Sequence, residues 1–183
     1  MILQMDDDLR DVVLAAVAGD EVAWEKLVQR FSSLVWSILR AYGLAEADAA
    51  DVFQTTWLRL VEHLSRLHSP HAVGAWLATT ARRESLQVLR TGARVVPTDD
   101  LAALESTGAD VPTPETLWLR TERSAELWRA LTTLTVQCQR LLRVLTASPP
   151  PSYAEVAAAL DMPIGSIGPV RGRCLEQLRR RLR

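Results

Sequence analysis

The 183-residue chain carries 21 basic and 22 acidic side chains, and 48% of its residues are hydrophobic. That apolar content supports a core and excludes general disorder, and no uncharged run reaches the length of a membrane-spanning helix. The near-neutral total conceals a segregation: residues 1–94 hold 10 basic and 12 acidic side chains, residues 95–116 hold none and five, and residues 117–183 hold 11 and five. Every basic residue except Lys26 is Arg, whose planar fork suits bidentate contacts with phosphates and guanine edges. The start "MILQMDDDLR" lacks a basic n-region and an apolar h-region, so a secretory signal is not expected. Cys138 and Cys174 lack metal-type spacing and read as two buried, unreactive thiols in a reducing compartment, which points to the cytoplasm.

Helical periodicity runs through the N-terminal half, with no alternating strand pattern. A first helix is expected from Asp6 to Ala18, stopped by Gly19. Asp20 caps a second, whose apolar positions Trp24, Leu27, Phe31, Leu34, Ile38 and Tyr42 step by three and four before Gly43 ends it. The third runs from about Ala47 to Leu67, with Phe53, Trp57, Leu60 and Leu64 on one face. Ser69 and Pro70 read as cap and first-turn residue of a fourth, reaching about Arg90. Short connections make these helices one bundle.

The pattern then breaks. "VVPTDDLAALESTGADVPTPE" is acidic, holds three prolines and has little apolar periodicity, as an extended linker would. Helices near 115–132 and 135–146 are expected beyond it. Ser152 and Glu155 form the S-x-x-E pattern of a capping box at the head of "YAEVAAAL". "DMPIG" supplies a turn, Ser166 reads as the next cap, and "IGPVRGRCLEQLRRRL" as a second helix with Pro169 in its first turn. That is helix-turn-helix length and composition, with the second helix set to enter a major groove. The fold class is all-α: two small helical domains joined by an extended linker, with domain limits 1–94, 95–114 and 115–183.

A second basic face lies on the fourth helix. Trp76, Thr80, Arg83, Gln87, Arg90 and Arg94 fall at offsets of 4, 7, 11, 14 and 18, one helical stripe beside core-facing Leu77, Ala81 and Val88. Guanidiniums hold phosphates, and an indole stacks on an unpaired base. The loop before it offers His68, Ser69 and His71 as small polar groups beside that indole, where an extruded base could be received. His63, His68 and His71 are irregularly spaced with no cysteine nearby, so no metal is expected, and no cofactor. There is no glycine-rich phosphate loop, nucleophile motif or organised acid–base pair, and no catalytic residue is assigned.

These segments, in this order, resemble a bacterial sigma factor of the sigma-70 family, and more narrowly the extracytoplasmic-function (ECF) type. "AEADAADVFQTTWLRLVEHL" is similar to region 2.2, "GAWLATTARRESLQVLR" to regions 2.3 and 2.4, and "SYAEVAAALDMPIGSI" to the region 4.2 helix-turn-helix. The resemblance covers most of the chain. It implies promoter-specific initiation with core RNA polymerase and promoter DNA as partners. Contacts with the clamp and flap of polymerase are implied, and nucleoid association when polymerase is bound. An anti-sigma factor is a further partner open to such a chain.

Carried over, Asp48, Asp51, Gln54, Thr55 and Leu58 would meet the clamp. His68, Ser69, His71, Trp76, Thr80, Arg83, Gln87 and Arg90 would melt and read the minus-ten element. Ser166, Arg171, Arg173, Arg179 and Arg180 would read the minus-thirty-five element as duplex. The chain departs from the family where Arg83 stands for a common Asn and Gln87 for a common Asp. Gly168, Pro169 and Val170 occupy places often polar or basic, leaving fewer side chains to reach base edges. Two other readings of the residues stay open here: a stand-alone helix-turn-helix regulator, and a sigma-like protein acting only through protein contacts.

Overall fold

Residues 2–67, 69–91 and 126–182 are described by the computed structural model, with side chains from residue 9 onward. Among them seven α-helices have both ends described: α1 (Ile2–Val17), α2 (Glu21–Ala41), α3 (Glu46–His63), α4 (Val73–Arg90), α5 (Val136–Val144), α6 (Tyr153–Leu160) and α7 (Ile164–Arg181). Single 3-10 turns occupy Leu64–Arg66 and Pro70–Ala72, and residues 126–132 are also helical. The acidic segment 95–114, Arg94 and the start of the helix expected near 115 lie outside the described residues. No helix among the described residues is long and apolar enough to cross a membrane.

Helix α2 is the centre of the molecule. Asp20 caps it, its carboxylate accepting from Val22 N at 2.8 Å and Ala23 N at 3.1 Å. Gly19 and Gly43 flank it at φ +90° and +72°, a region that costs glycine nothing. The expected stripe Leu27, Phe31, Leu34 and Ile38 is buried, and so are Val35 and Leu39 on an adjoining stripe. The doubled stripe follows from packing: α2 touches α1, α3 and α4, and also α5 from the C-terminal half. The indole of Trp24 ties it to α1 by donating to Ala16 O at 3.0 Å.

On α3 the buried residues are Ala49, Val52, Thr56 and Leu60, one step around from the expected pair Phe53 and Trp57. Those two are half-buried at the rim: Phe53 stacks on Trp36 with centroids 4.8 Å apart and meets Trp57 edge-on at 6.1 Å. The buried hydroxyls of Ser37, Thr56 and Ser85 each donate to a carbonyl of their own helix at 2.7 Å, so none is left unpaired.

Two expected helix starts fall elsewhere. Pro70 opens the 3-10 turn, and α4 begins at Val73 with no side-chain cap from Ser69. Helix α7 begins at Ile164 with Pro163 as its cap, so Ser166 lies inside it and donates to Pro163 O at 2.7 Å. Pro169 therefore sits in the helix interior, not the first turn, and removes a hydrogen bond there. The capping box of α6 forms as expected, with Ser152 N donating to Glu155 Oε2 at 2.6 Å and Glu155 N to Ser152 Oγ at 3.3 Å.

The two cysteines are joined in a disulfide across 36 residues of sequence, with Cα atoms 5.4 Å apart. Both cysteines are buried, and the bridge ties α5 to α7. The disulfide replaces the two free thiols expected for a reducing compartment: no local pattern relates the two positions, and the packing of α5 on α7 brings them together.

The two halves share one continuous core rather than standing apart. Helix α6 lies on α4 and α5 on α2. Gly74 makes this approach close, since a Cβ there would collide with the Glu155 carboxylate and the Phe31 ring. Ile38 sits at the middle of the shared wall with no exposed surface. Ile38→Ala is expected to cost about 2–5 kcal/mol in urea denaturation; a loss below about 1 kcal/mol would mean that α2 does not carry the core.

Candidate nucleic-acid interface

Helix α4 carries three guanidiniums and one carboxylate, and tertiary packing decides which remain available. Glu84 is held by Arg59 of α3 at 3.1 Å. Arg82 is held by Asp161 at 2.9 Å. Among the described residues neither Arg83 nor Arg90 has an ion-pair partner, and both are exposed with Gln87 between them. Arg82, Arg83, Leu86, Gln87, Arg90 and Thr91 line an open groove of about 490 Å³. The neutralised Glu84 removes the negative charge that would oppose a phosphate there.

The expected stripe is only partly realised. Thr80 is 9% exposed, so it belongs to the core side of α4 and does not stand in the line of open residues. The cause is helical drift: a wide buried face of Leu77, Ala78, Ala81 and Ser85 takes in its neighbour. Trp76 is half-buried with its ring 5.7 Å from that of His63, so part of the indole face is already covered by protein. Ser69 is half-buried and His71 exposed on the turn leading into α4; His68 lies outside the described residues. Arg82, not singled out from the sequence, lines the same groove. Its place beside Arg83 was the signal, but its partner lies 79 positions further along the chain.

The outer face of α3 is a separate surface. Asp51, Gln54 and Leu58 are exposed, and Asp48 and Thr55 half-buried, along one side of the helix. Leu58 is 64% exposed and Val61, one turn on, 59%. An apolar pair open to water, flanked by acids, has the composition of a protein-binding patch. Val61 was not picked out in sequence because it lies outside the acidic run.

On α7, Arg171, Arg173, Arg179 and Arg180 are exposed, with Arg180 paired to Glu176 at 3.1 Å. Ser166 is half-buried and its hydroxyl is committed to Pro163 O. Around Gly165, Gly168 and Gly172 the space is open. The first half of α7 thus presents backbone to solvent with few side chains, and its guanidiniums begin at Arg171.

Residues 27–95, which span the outer face of α3 and the arginine stripe of α4, match the Sigma-70 region 2 family. The ECF RNA polymerase sigma-E factor of Escherichia coli (strain K12) is 28% identical over 172 residues, covering 89% of each chain. The factor of the same name from Haemophilus influenzae (strain ATCC 51907 / DSM 11121 / KW20 / Rd) is 25% identical over 158 residues, 81% of this chain and 82% of that one. Among solved structures, CnrH in complex with the cytosolic domain of CnrY matches with a TM-score of 0.58 at 24% identity, over 92% of this chain and 93% of that one. Residues 27–95 thus carry a Sigma-70 region 2 segment, and the helical fold is similar to that of CnrH. Over most of its length the chain is similar to extracytoplasmic-function RNA polymerase sigma-E factors.

Because Arg83 and Arg90 are exposed and unpaired, replacing both by Ala is expected to leave thermal stability unchanged. The slope of log affinity against log salt for single-stranded DNA should fall by roughly 1.4. An unaltered slope in fluorescence anisotropy would mean that neither guanidinium meets a phosphate.

Proposed function

We infer that this chain binds core RNA polymerase and directs promoter-specific transcription initiation. The observation that carries the reading is the region 2 match over residues 27–95, which contains both an acidic–apolar helix face and a stripe on which Arg83 and Arg90 have no ion-pair partner among the described residues. The chain acts by binding, in the cytoplasm, and the polymerase supplies the chemistry.

The parts divide as follows. The α3 face of Asp48, Asp51, Gln54, Thr55 and Leu58 docks on the polymerase clamp, with Leu58 and Val61 supplying the desolvated centre. The α4 groove tracks the strand opened at the minus-ten element: Arg83 and Arg90 hold phosphates, Gln87 reaches base edges, and the open side of Trp76 stacks on a base with Ser69 and His71 beside it. Capturing unstacked bases offsets the few kcal/mol of strand opening. The C-terminal unit 115–183 meets the upstream element through α7, where Arg171 and Arg173 lie toward the groove and Arg179 and Arg180 toward the backbone. The glycine-rich start of α7 lets its backbone approach closely but leaves few side chains for base reading. A protein partner that covers both units, an anti-sigma factor, fits a chain whose two halves already share a core.

In vitro transcription of a genomic fragment library with bacterial core polymerase tests the reading. Discrete new start sites are expected only with this protein present. Leu58→Asp is expected to abolish co-elution with core while leaving the circular dichroism spectrum intact, since the side chain is mostly solvated. Transcripts independent of the protein, or full co-elution of the variant, would count against it.

A further inference from the structure

The two DNA-facing units are packed into one body, and that geometry conflicts with the job they share. A compact chain of this length has a radius of gyration of roughly 16 Å and is about 40 Å across. Elements named minus ten and minus thirty-five lie about 25 base pairs, roughly 85 Å, apart on duplex DNA. The closed body cannot reach both. The contacts that hold it shut are therefore contacts that promoter binding must break.

Those contacts converge on two helix ends. At the C-terminal end of α2, Tyr42 donates its hydroxyl to Ala159 O at 2.9 Å, and Arg143 of α5 donates to Arg40 O at 3.0 Å. The guanidinium of Arg140 lies over the Tyr42 ring at 4.5 Å. Cations suit that end of a helix. Burial pushes the Tyr42 phenol above its ordinary value, although Arg140 and Arg82 pull it back; it keeps its proton and donates at neutral pH. At the C-terminal end of α6, Asp161 stands in the left-handed region at φ 56°, where glycine is the cheaper residue. Its carboxylate reaches Arg82 on α4. Arg82 is half-buried, and its Nε is enclosed without another partner.

We propose that Asp161 is an internal stand-in for a promoter phosphate: in the closed chain it occupies Arg82, and opening the two halves hands that guanidinium to the DNA groove it shares with Arg83 and Arg90. The proposal rests on the sigma factor reading. A carboxylate oxygen 2.9 Å from a guanidinium nitrogen has the charge and geometry of a phosphate oxygen in the same place. Asp161 is 75% exposed on its side chain, so the pair is readily exchanged for an outside anion. Closed and DNA-bound states then compete for one residue.

Two variants separate the roles. Asp161→Gly keeps the left-handed turn and deletes the carboxylate; combined with Tyr42→Phe it removes two of the polar ties, leaving the Arg143 bond to Arg40 O and the apolar seam in place. Small-angle scattering of the full chain should give a compact wild type and a clearly larger radius of gyration for the double variant. The double variant should reach half-saturation with core polymerase at roughly three- to tenfold lower concentration. Arg82→Ala should also loosen the closed form, yet lower the salt slope for a short oligodeoxythymidine strand by about 0.7, which Asp161→Gly should not do. Identical scattering of wild type and double variant, or an Arg82→Ala slope equal to wild type, would overturn the proposal. Looser scattering without any promoter-directed transcript would leave the latch standing and remove the sigma reading. Normal transcription with unchanged scattering would do the reverse.

Discussion

Everything in this molecule hangs on α2 being buried on two sides. Leu27, Phe31, Leu34, Val35, Ile38 and Leu39 all belong to one core, which also takes in Leu141 and Val144 of α5. A helix with one apolar face could have held the first bundle alone. Helix α2 packs against α5 as well as α1, α3 and α4, which joins the C-terminal half to the same core, and α6 lies on α4. Helix α4, which carries the exposed Arg83 and Arg90, is thereby also a docking surface for the C-terminal half, and Arg82 serves both its groove and its contact with Asp161.

Electrostatics then sorts the arginines by partner. Arg59 is spent on Glu84 and Arg82 on Asp161; Arg140 covers the Tyr42 ring, and Arg143 bonds the end of α2 while lying over the Trp128 ring at 5.3 Å. Burial, with the Arg40 charge nearby, pushes Arg143 below the usual guanidinium range. Arg83 and Arg90, and Arg171, Arg173 and Arg179 on α7, stay at the surface. The near-neutral total charge is thus compatible with nucleic-acid binding, because much of the negative charge lies in the first half and the acidic segment 95–116 rather than on the faces that bear exposed arginines.

Much of the fold was legible in local signals. The Asp20 cap, the Gly43 stop and the Ser152–Glu155 box were readable because each is a short-range hydrogen-bonding device. The starts of α4 and α7 were misread for the same reason: Ser69–Pro70 and Ser166 have cap chemistry, but the chain uses a 3-10 turn at one and Pro163 at the other. Of the α3 stripe, Leu60 and Leu64 are buried as expected, whereas Phe53 and Trp57 lie at the rim and the smaller Val52 and Thr56 face inward instead. Of the α4 stripe, Arg83, Gln87 and Arg90 emerged on the open side, whereas Thr80 did not.

By itself the sequence determined the helical class, the order of the segments, the separation of charge and the family resemblance. Each depends on residues close together in the chain, where periodicity and capping act. Only the tertiary structure decided that Cys138 meets Cys174, that Arg82 meets Asp161, and that Tyr42 reaches Ala159. These contacts join residues that no local pattern relates. They exist because the doubled apolar face of α2 and the missing side chain of Gly74 let the two halves close on each other.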